Sequence, residues 1–494
     1  MSDSETKNLR TRFAPSPTGF LHIGSVRAAL YNYLFAKKYG GKFVLRVEDT
    51  DILRSKKEFE LDILAGLKWL GLNYDEGPDI GGEYGPYRQS ERREIYKKYL
   101  EKLIAEGKAY YCFCTKDELE AKKNYQIEQG IQPKYDGKCA DLPPQTIKDN
   151  LQKGLPCVIR FKSNNKKVSF NDLIRGKVEF DTSLFGDTVI ATDISTPLYN
   201  LACVIDDYEM RISHVIRGED HIPNTPKQIQ LQEALGFPGI IYAHMPMILG
   251  PDKSKLSKRH NAEPVNFYFN QGYLPEAINN FIVFLGWNPG DEREMFSLEQ
   301  LVKEFSIERV RPSGAIFNVQ KLNWFNGMYI RTKPLTELAG LLKPFLAKAG
   351  LIGETFSNEQ YLEAAIALYK DRLVTLAEFP DIADFFFKPE ITYEKELLRW
   401  KDMTDQDVKN SLQVIGELAD TISDSQWSKE VLEKTYLGYV DLPEAKVKIR
   451  GQLLWPMRVL LTGKKASAGP FEVGAVLGKD QFIRRVNYAK KLWE

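Results

Sequence analysis

The chain has 494 residues, of which 43% are hydrophobic, 12% aromatic and 27% charged. That is about three domains' worth of sequence, with apolar material for several packed cores, and it excludes a mainly disordered protein. Its 68 Lys and Arg nearly cancel 67 Asp and Glu, for a net charge of +1, which excludes a polybasic protein but not a nucleic-acid binder with one basic face.

A basic bias does exist at the C-terminal end, where 441–494 holds eleven Lys and Arg against five acids; a solvated helix face is the commoner source of such a bias. Met1 to Arg10 is polar, without the apolar core or cleavage site of an export signal. The longest strongly apolar stretch, Phe281 to Trp287, is far short of the ~20 residues a membrane span needs. Five cysteines are too few for a disulfide scaffold in so long a chain. A cytosolic (cytoplasmic) protein is expected.

In chain order, the first element is a short strand ending at Arg12-Phe13-Ala14. A turn from Pro15 to Gly19 follows, then a helix over Ser25 to Tyr39 with Val26, Ala29, Leu30, Tyr33, Leu34 and Ala36 on its apolar face. Gly40-Gly41 ends it, and Lys42 to Val47 reads as a second strand. Strand, Gly-containing turn, helix and strand open a parallel α/β sheet of Rossmann type. Between Tyr110 and Pro197 the texture changes to short β pieces (Val158 to Phe161, Val168 to Phe170, Lys177 to Phe180, Thr188 to Ala191) broken by Asn, Gly and Asp turns. The stretch 110–197 is therefore expected to be an α+β insertion splitting the α/β domain into halves at 1–109 and 198–250. Leu201 to Asp206, His214 to Arg217 and a helix from Asn224 to Leu235 resume the alternation. After a segment at 251–328, the region 329–494 reads as helix after helix, with Leu335 to Ala349, Asn358 to Ala377 and Asp405 to Leu418 among them. It predicts an all-α region of two small bundles.

Three constellations can carry chemistry. The turn from Pro15 through His22-Ile23-Gly24-Ser25 sits between a strand and a helix, where unpaired backbone N–H groups favour phosphate. Gly24 lets a nucleotide approach the backbone, and His22 can donate to phosphate oxygens; alone, the tract would also suit an ordinary Pro/Gly turn. Far downstream, Lys253-Ser254-Lys255-Leu256-Ser257-Lys258-Arg259 places four cations in seven residues after Gly250-Pro251-Asp252. Such a loop suits a mobile arm that clamps a triphosphate, although isolated charge runs are more often solvated loops. The third is Cys112-Phe113-Cys114 with Cys139 after 24 intervening residues. Three such thiolates suggest a structural zinc site, completed by Tyr135 or by Asp141; the alternative is a metal-free hairpin of reduced cysteines. Cys157 reads as a packing residue.

Taken together, the first two tracts resemble the class I aminoacyl-tRNA synthetases. His22 to Ser25 stands where their HIGH signature belongs, with Ser25 for the last His. Lys255-Leu256-Ser257-Lys258-Arg259 stands at KMSKS, with Leu256 for Met and Arg259 for the closing Ser. Arg12 to Gly19, Arg46 to Asp51, Asn73 to Pro78, Tyr199 to Asp207 and Val215 to Asp220 are similar to the glutamyl/glutaminyl subgroup, in order as far as about Asn326. Glutaminyl enzymes end in β-barrels and bacterial glutamyl enzymes in helical bundles, so the C-terminal helices resemble the glutamyl branch.

The resemblance implies an ATP-dependent ligation of L-glutamate to tRNA(Glu) through glutamyl-adenylate, by a monomer, with Mg²⁺ accompanying ATP. It implies catalytic halves at 1–109 and 198–250, an acceptor-stem-binding domain at 110–197, a stem-contact domain at 251–328 and an anticodon-binding region at 329–494. His22 and Lys258 would stabilise phosphate charge. Thr18, Gly24 and Lys255 would lie against ATP, with Glu219 and His221 bordering the adenosine. Arg12 and Arg217, at strand ends facing the sheet's crevice, would hold two carboxylates, as guanidinium forks can. Glu48 would balance the substrate ammonium, and Ala14, Ser16, Tyr199 and Cys203 would complete the pocket, Cys203 standing where some members have Asn. Some members also carry a zinc knuckle with this Cys-x-Cys spacing. In the tail, Arg450, Arg458, Lys464, Lys465, Arg484, Arg485, Lys490 and Lys491 would meet RNA phosphates. Trp455, Phe471, Phe482 and Tyr488 could stack on bases, although core is the commoner place for such aromatics. Rival readings are a glutaminyl-tRNA synthetase, a shortened enzyme that glutamylates a modified tRNA base, a small-molecule nucleotidyltransferase and an inactive RNA-binding descendant. The long helical C-terminus disfavours the second and third, and His22, Lys258, Arg12 and Arg217 disfavour the last.

Overall fold

The computed structural model describes residues 8–51, 53–257, 263–353 and 355–493. They fall into two compact units, one of 1–269 and 275–322, the other of 270–274 and 323–494. In the first, β1 (Arg10–Phe13) pairs in parallel with β2 (Lys42–Leu45), Arg12 standing opposite Val44. Between them runs the helix Ile23–Lys38, started by the His22 side chain as cap, with Lys37 and Lys38 in its last turn against the negative end of the helix dipole. Val26, Ala29, Leu30 and Leu34 are fully buried. Asn32 Nδ2 donates to the Ile216 carbonyl at 2.9 Å, and the Tyr31 hydroxyl to the Val283 carbonyl at 2.9 Å. Gly40 turns the chain out with a φ of +65°.

The strands that follow are β3 (Ala109–Cys112), β4 (Val158–Phe161), β5 (Lys167–Asp172), β6 (Gly176–Asp181), β7 (Val189–Asp193) and β8 (Thr196–Pro197). β3, β4, β7 and β8 form one antiparallel sheet. The β5–β6 hairpin leaves it and joins β9 (His214–Gly218) and β10 (Ile241–Met245) in the order β6-β5-β10-β9. There β5 runs parallel to β10 at Asp172 and Tyr242, and β10 parallel to β9, with His244 opposite Arg217. The stretch 110–197 is thus not closed on itself, because strand patterns reveal pieces but not their partners. Its apolar residues Ile159, Phe161 and Ile190 share a cluster with Leu100, Leu201, Ile205 and Leu231 from outside the stretch.

β9 and β10 are buried almost throughout, as parallel strands covered on both faces are, yet they carry His214, Arg217 and His244 among their apolar residues. The neighbouring helix Tyr199–Glu209 is unusual in burying two consecutive carboxylates, Asp206 and Asp207. Asp206 accepts from Arg92 Nε at 2.7 Å, Gln89 Nε2 at 2.8 Å and the Tyr96 hydroxyl at 2.9 Å.

The second unit is all-helical, with Leu335–Lys348, Glu359–Ala367, Asp405–Thr421, Lys429–Val440, Arg450–Thr462, Pro470–Leu477 and Lys479–Trp493. One expected helix, Asn358 to Ala377, is broken. It ends at Ala367 and gives way to single 3₁₀ turns at Lys370–Arg372 and Leu376–Glu378. The apolar spacing of Leu373, Leu376 and Phe379 persists, but the backbone bonds elsewhere: Leu376 N–H to the Gly272 carbonyl at 3.1 Å and the Val374 carbonyl to Asn326 Nδ2 at 2.6 Å. The basic tail also divides. Arg485 is buried, its guanidinium donating to the carbonyls of Leu461, Phe385 and Lys388, and Lys464 pairs with Asp384 at 2.7 Å; these two are structural rather than RNA-facing. Arg450, Lys465, Arg484 and Lys491 are exposed. Phe471 and Phe482 are core, Trp455 Nε1 donates to the Leu397 carbonyl at 2.8 Å, and Tyr488 packs edge-on to Tyr393. No helix among the described residues is long and apolar enough to cross a membrane.

Removing one partner from a buried ionic cluster leaves the others uncompensated, so Asp206→Ala is expected to cost the first unit about 3–5 kcal/mol, whereas Asp51→Ala, which loses exposed contacts to the side chain and backbone N–H of Arg54, should cost far less. Urea unfolding of both variants measures the difference.

Candidate active site

A cavity of about 1040 Å³ lies where β1, β9 and β10 end. Arg12, Ala14, Ser16, Thr18, His22 and Gly24 line it from the first βα turn, Glu48 from beyond β2, and Tyr199, Arg217, His221 and Lys255 from later segments. Two expected residues are not among its lining. Cys203 is buried behind it, its Sγ 3.6 Å from both Arg46 Nη2 and Asp207 Oδ2. Glu219 turns away, accepting from the Met247 N–H at 2.6 Å and pairing with Arg175. Lys258 lies outside the described residues. Arg27, Asp220, Asn224 and Met247 also line the cavity and carry no signal in the sequence pattern beyond proximity to its motifs.

His22 caps the helix that follows the first βα turn. Its Nδ1 accepts the Ser25 backbone N–H at 3.2 Å, and a backbone N–H can only donate, so the proton of the neutral ring sits on Nε2. Burial, with the Lys255 charge, lowers the His22 pKa, and the Nε2 of the neutral ring lies 3.1 Å from Ser25 Oγ. A Cβ on Gly24 would come 3.2 Å from the His22 ring. The glycine therefore gives room to the histidine as well as to a ligand.

The arginines are held in two ways. Arg12 Nε meets Asp207 Oδ1 at 3.2 Å, and Asp207 also binds Arg46 Nη1 at 2.7 Å. Arg46 Nη2 meets Glu48 Oε1 at 3.0 Å. Burial nonetheless pushes the Glu48 carboxyl up, against the pull of Arg46 and Arg12. Arg217 has no such carboxylate among the described residues. Its Nε donates to His244 Nε2 at 3.1 Å and its Nη2 to Thr225 Oγ1 at 2.9 Å. Its Nη1 is buried and unpartnered. A desolvated guanidinium with an unused N–H beside a cavity is built for an anion. Nearby, the Tyr199 hydroxyl lies 2.9 Å from His221 Nδ1; burial, then the Arg217 charge, depresses His221 to about 4.

The cysteines lie apart from this cavity, at the end of β3. The sulfurs of Cys112, Cys114 and Cys139 are within 4.8 Å of one another, Cys114 and Cys139 at 3.6 Å. Zinc thiolates in a tetrahedron stand about 3.8 Å apart. The Tyr135 hydroxyl is 3.4 Å from Cys112 Sγ and 3.5 Å from Cys114 Sγ. Asp141 is instead 92% exposed and turned toward Lys162. The donor set of three thiols and a phenol oxygen fits zinc, with Tyr135 rather than Asp141 at hand.

Residues 8–324 match the family of class I (E and Q) tRNA synthetase catalytic domains, and residues 337–490 match the anticodon binding domain. The glutamate–tRNA ligase of Carboxydothermus hydrogenoformans is 44% identical over 482 residues, 97% of this chain and 99% of that protein. The chain belongs to the glutamate–tRNA ligase family. A second relative, glutamate–tRNA ligase 1 of Caldicellulosiruptor saccharolyticus, is 43% identical over 98% of this chain and 99% of its own. The crystal structure of a glutamate tRNA ligase from Elizabethkingia meningosepticum in complex with its amino acid superposes with a TM-score of 0.87 at 33% identity, covering 99% of this chain and 100% of that one. Membership makes the chain a class I aminoacyl-tRNA synthetase, a Rossmann-type α/β enzyme followed by a helical region.

His22, His221 and His244 all have pKa values below the ordinary 6.5, in each case chiefly through burial. Between pH 6.5 and about 4 the unfolded chain binds protons that the folded site refuses, so stability falls as pH falls through that window. Thermal unfolding across it should show this slope, and His221→Gln should flatten it.

Proposed function

We propose that this cavity activates L-glutamate with ATP and passes it to tRNA(Glu). The glutamate α-carboxylate attacks the α-phosphate of ATP, giving glutamyl-adenylate and diphosphate; the terminal hydroxyl of the tRNA then takes the acyl group and releases AMP. The observation that carries the reading is Arg217, a buried guanidinium at the cavity wall with no carboxylate partner among the described residues and an unpartnered Nη1. Arg12, shared with Asp207, takes the second carboxylate more weakly, and Glu48 faces the ammonium. Ala14, Ser16 and Tyr199 shape the pocket. Cys203 acts at one remove, through Arg46.

The phosphates lie along the turn, against Thr18, Gly24 and the Nε2–H of His22, with Lys255 and, by its place in the motif, Lys258 supplying positive charge; Mg²⁺ accompanying ATP would neutralise phosphate charge there. His221 stays at the adenosine side; Glu219, engaged by Met247 and Arg175, supports that wall instead of touching the nucleotide. Positioning and charge stabilisation do the catalysis. The exposed Arg450, Lys465, Arg484 and Lys491 of the helical unit suit RNA phosphates.

Diphosphate exchange into ATP, with tRNA present, should depend on glutamate and ignore glutamine, and His22→Ala should slow it by about 10²–10³. Exchange driven equally by glutamine would overturn the reading. Cys112, Cys114 and Cys139, with Tyr135, would hold one zinc per chain, whose chemistry is to cross-link the knuckle. Metal analysis should find it in the native protein and lose it in Cys112→Ser with Cys114→Ser; native protein without zinc rules the site out.

A further inference from the structure

Behind Arg217 stands a chain of two side chains that the reaction itself does not use. Asp172 closes β5 and His244 lies in β10, and both side chains are wholly buried. Asp172 Oδ2 is 2.6 Å from His244 Nδ1. The carboxylate also accepts the backbone N–H groups of Ile174 at 2.9 Å, Arg175 at 3.0 Å and His244 at 3.0 Å. An ionised carboxylate only accepts, so Nδ1 carries the imidazole proton and Nε2 presents a bare lone pair. That lone pair takes the Arg217 Nε–H at 3.1 Å. Thr225 Oγ1 takes the Nη2–H at 2.9 Å, and its own hydroxyl, 3.1 Å from His244 Nε2 and 3.3 Å from the His221 carbonyl, can donate to either, so that His244 Nε2 is an acceptor for both Arg217 and Thr225. The guanidinium is thereby fixed on two sides by neutral acceptors, and the Asp172 carboxylate reaches it only through an imidazole ring.

We propose that Asp172 and His244 are positioning residues for amino-acid recognition, orienting Arg217 with a lone pair in place of a counter-charge so that its full positive charge meets the substrate carboxylate. This rests on the reading of Arg217 as a carboxylate site. A carboxylate in direct contact would orient the guanidinium equally well but would compete with the substrate, as Asp207 does at Arg12. Asp172 sets the tautomer; with the proton on Nε2 instead, His244 would face Arg217 donor to donor.

Three variants separate this role from simple packing. Asp172→Asn keeps the shape but offers Nδ1 a donor and so reverses the tautomer. His244→Leu removes the acceptor. His244→Gln can return an acceptor oxygen to the position of Nε2. In diphosphate exchange with tRNA present, Asp172→Asn and His244→Leu should raise the KM for glutamate about tenfold to a hundredfold while the KM for ATP stays within about twofold. His244→Gln should recover most of the loss. Circular dichroism and thermal unfolding establish which variants fold, and Asp172→Asn, the nearest in shape, decides alone if His244→Leu does not. A folded Asp172→Asn with unchanged glutamate KM, or equal rises for glutamate and ATP, overturns the proposal while the activity assignment stands. Wild-type protein that fails to activate glutamate removes both.

Discussion

Burying a guanidinium away from water is tolerable only when its N–H groups find acceptors and its charge finds a counterpart. Arg12, Arg46 and Arg92 receive both from Asp207, Glu48 and Asp206. Arg217, which lines the cavity, receives acceptors alone among the described residues. The balanced cluster ties β1 and the Arg46–Glu48 tract to the helix Tyr199–Glu209, whereas Arg217 is held by His244 and Thr225.

The phosphate side follows a different logic. Helix Ile23–Lys38 begins with a histidine as its cap, so the bond that satisfies an orphan backbone N–H also selects the ring tautomer that can donate outward. Burial and Lys255 keep that ring uncharged. The same side chain therefore starts the helix and presents a donor, and Gly24 is small because that ring lies 3.2 Å from where its Cβ would be.

Periodicity and turn residues disclosed the opening strand, helix and strand, the short β pieces and the helical C-terminus, because each is a local pattern. The motif residues of the first βα turn and the downstream basic loop disclosed most of the cavity lining, because they are short tracts with chemistry of their own. What stayed hidden is what depends on pairing across the sequence. Nothing in the local pattern singles out Asp172 until β5 is seen beside β10, or His244 until it stands opposite Arg217. Arg485 looked like one more tail cation until three backbone carbonyls surrounded it. Glu219, which the resemblance sets beside the adenosine, has its carboxylate engaged by Met247 and Arg175.

The β5–β6 hairpin has a topological consequence. It lies between strands of the antiparallel sheet in the chain but belongs to the other sheet in space, and the last residue of its first strand, Asp172, holds the His244 ring that meets Arg217. The stretch 110–197 is accordingly no detachable cassette. Excising it at its nominal borders, or grafting it from another ligase, would also trade away the wedge beneath Arg217, so that swapping an outer surface would quietly recalibrate an inner affinity.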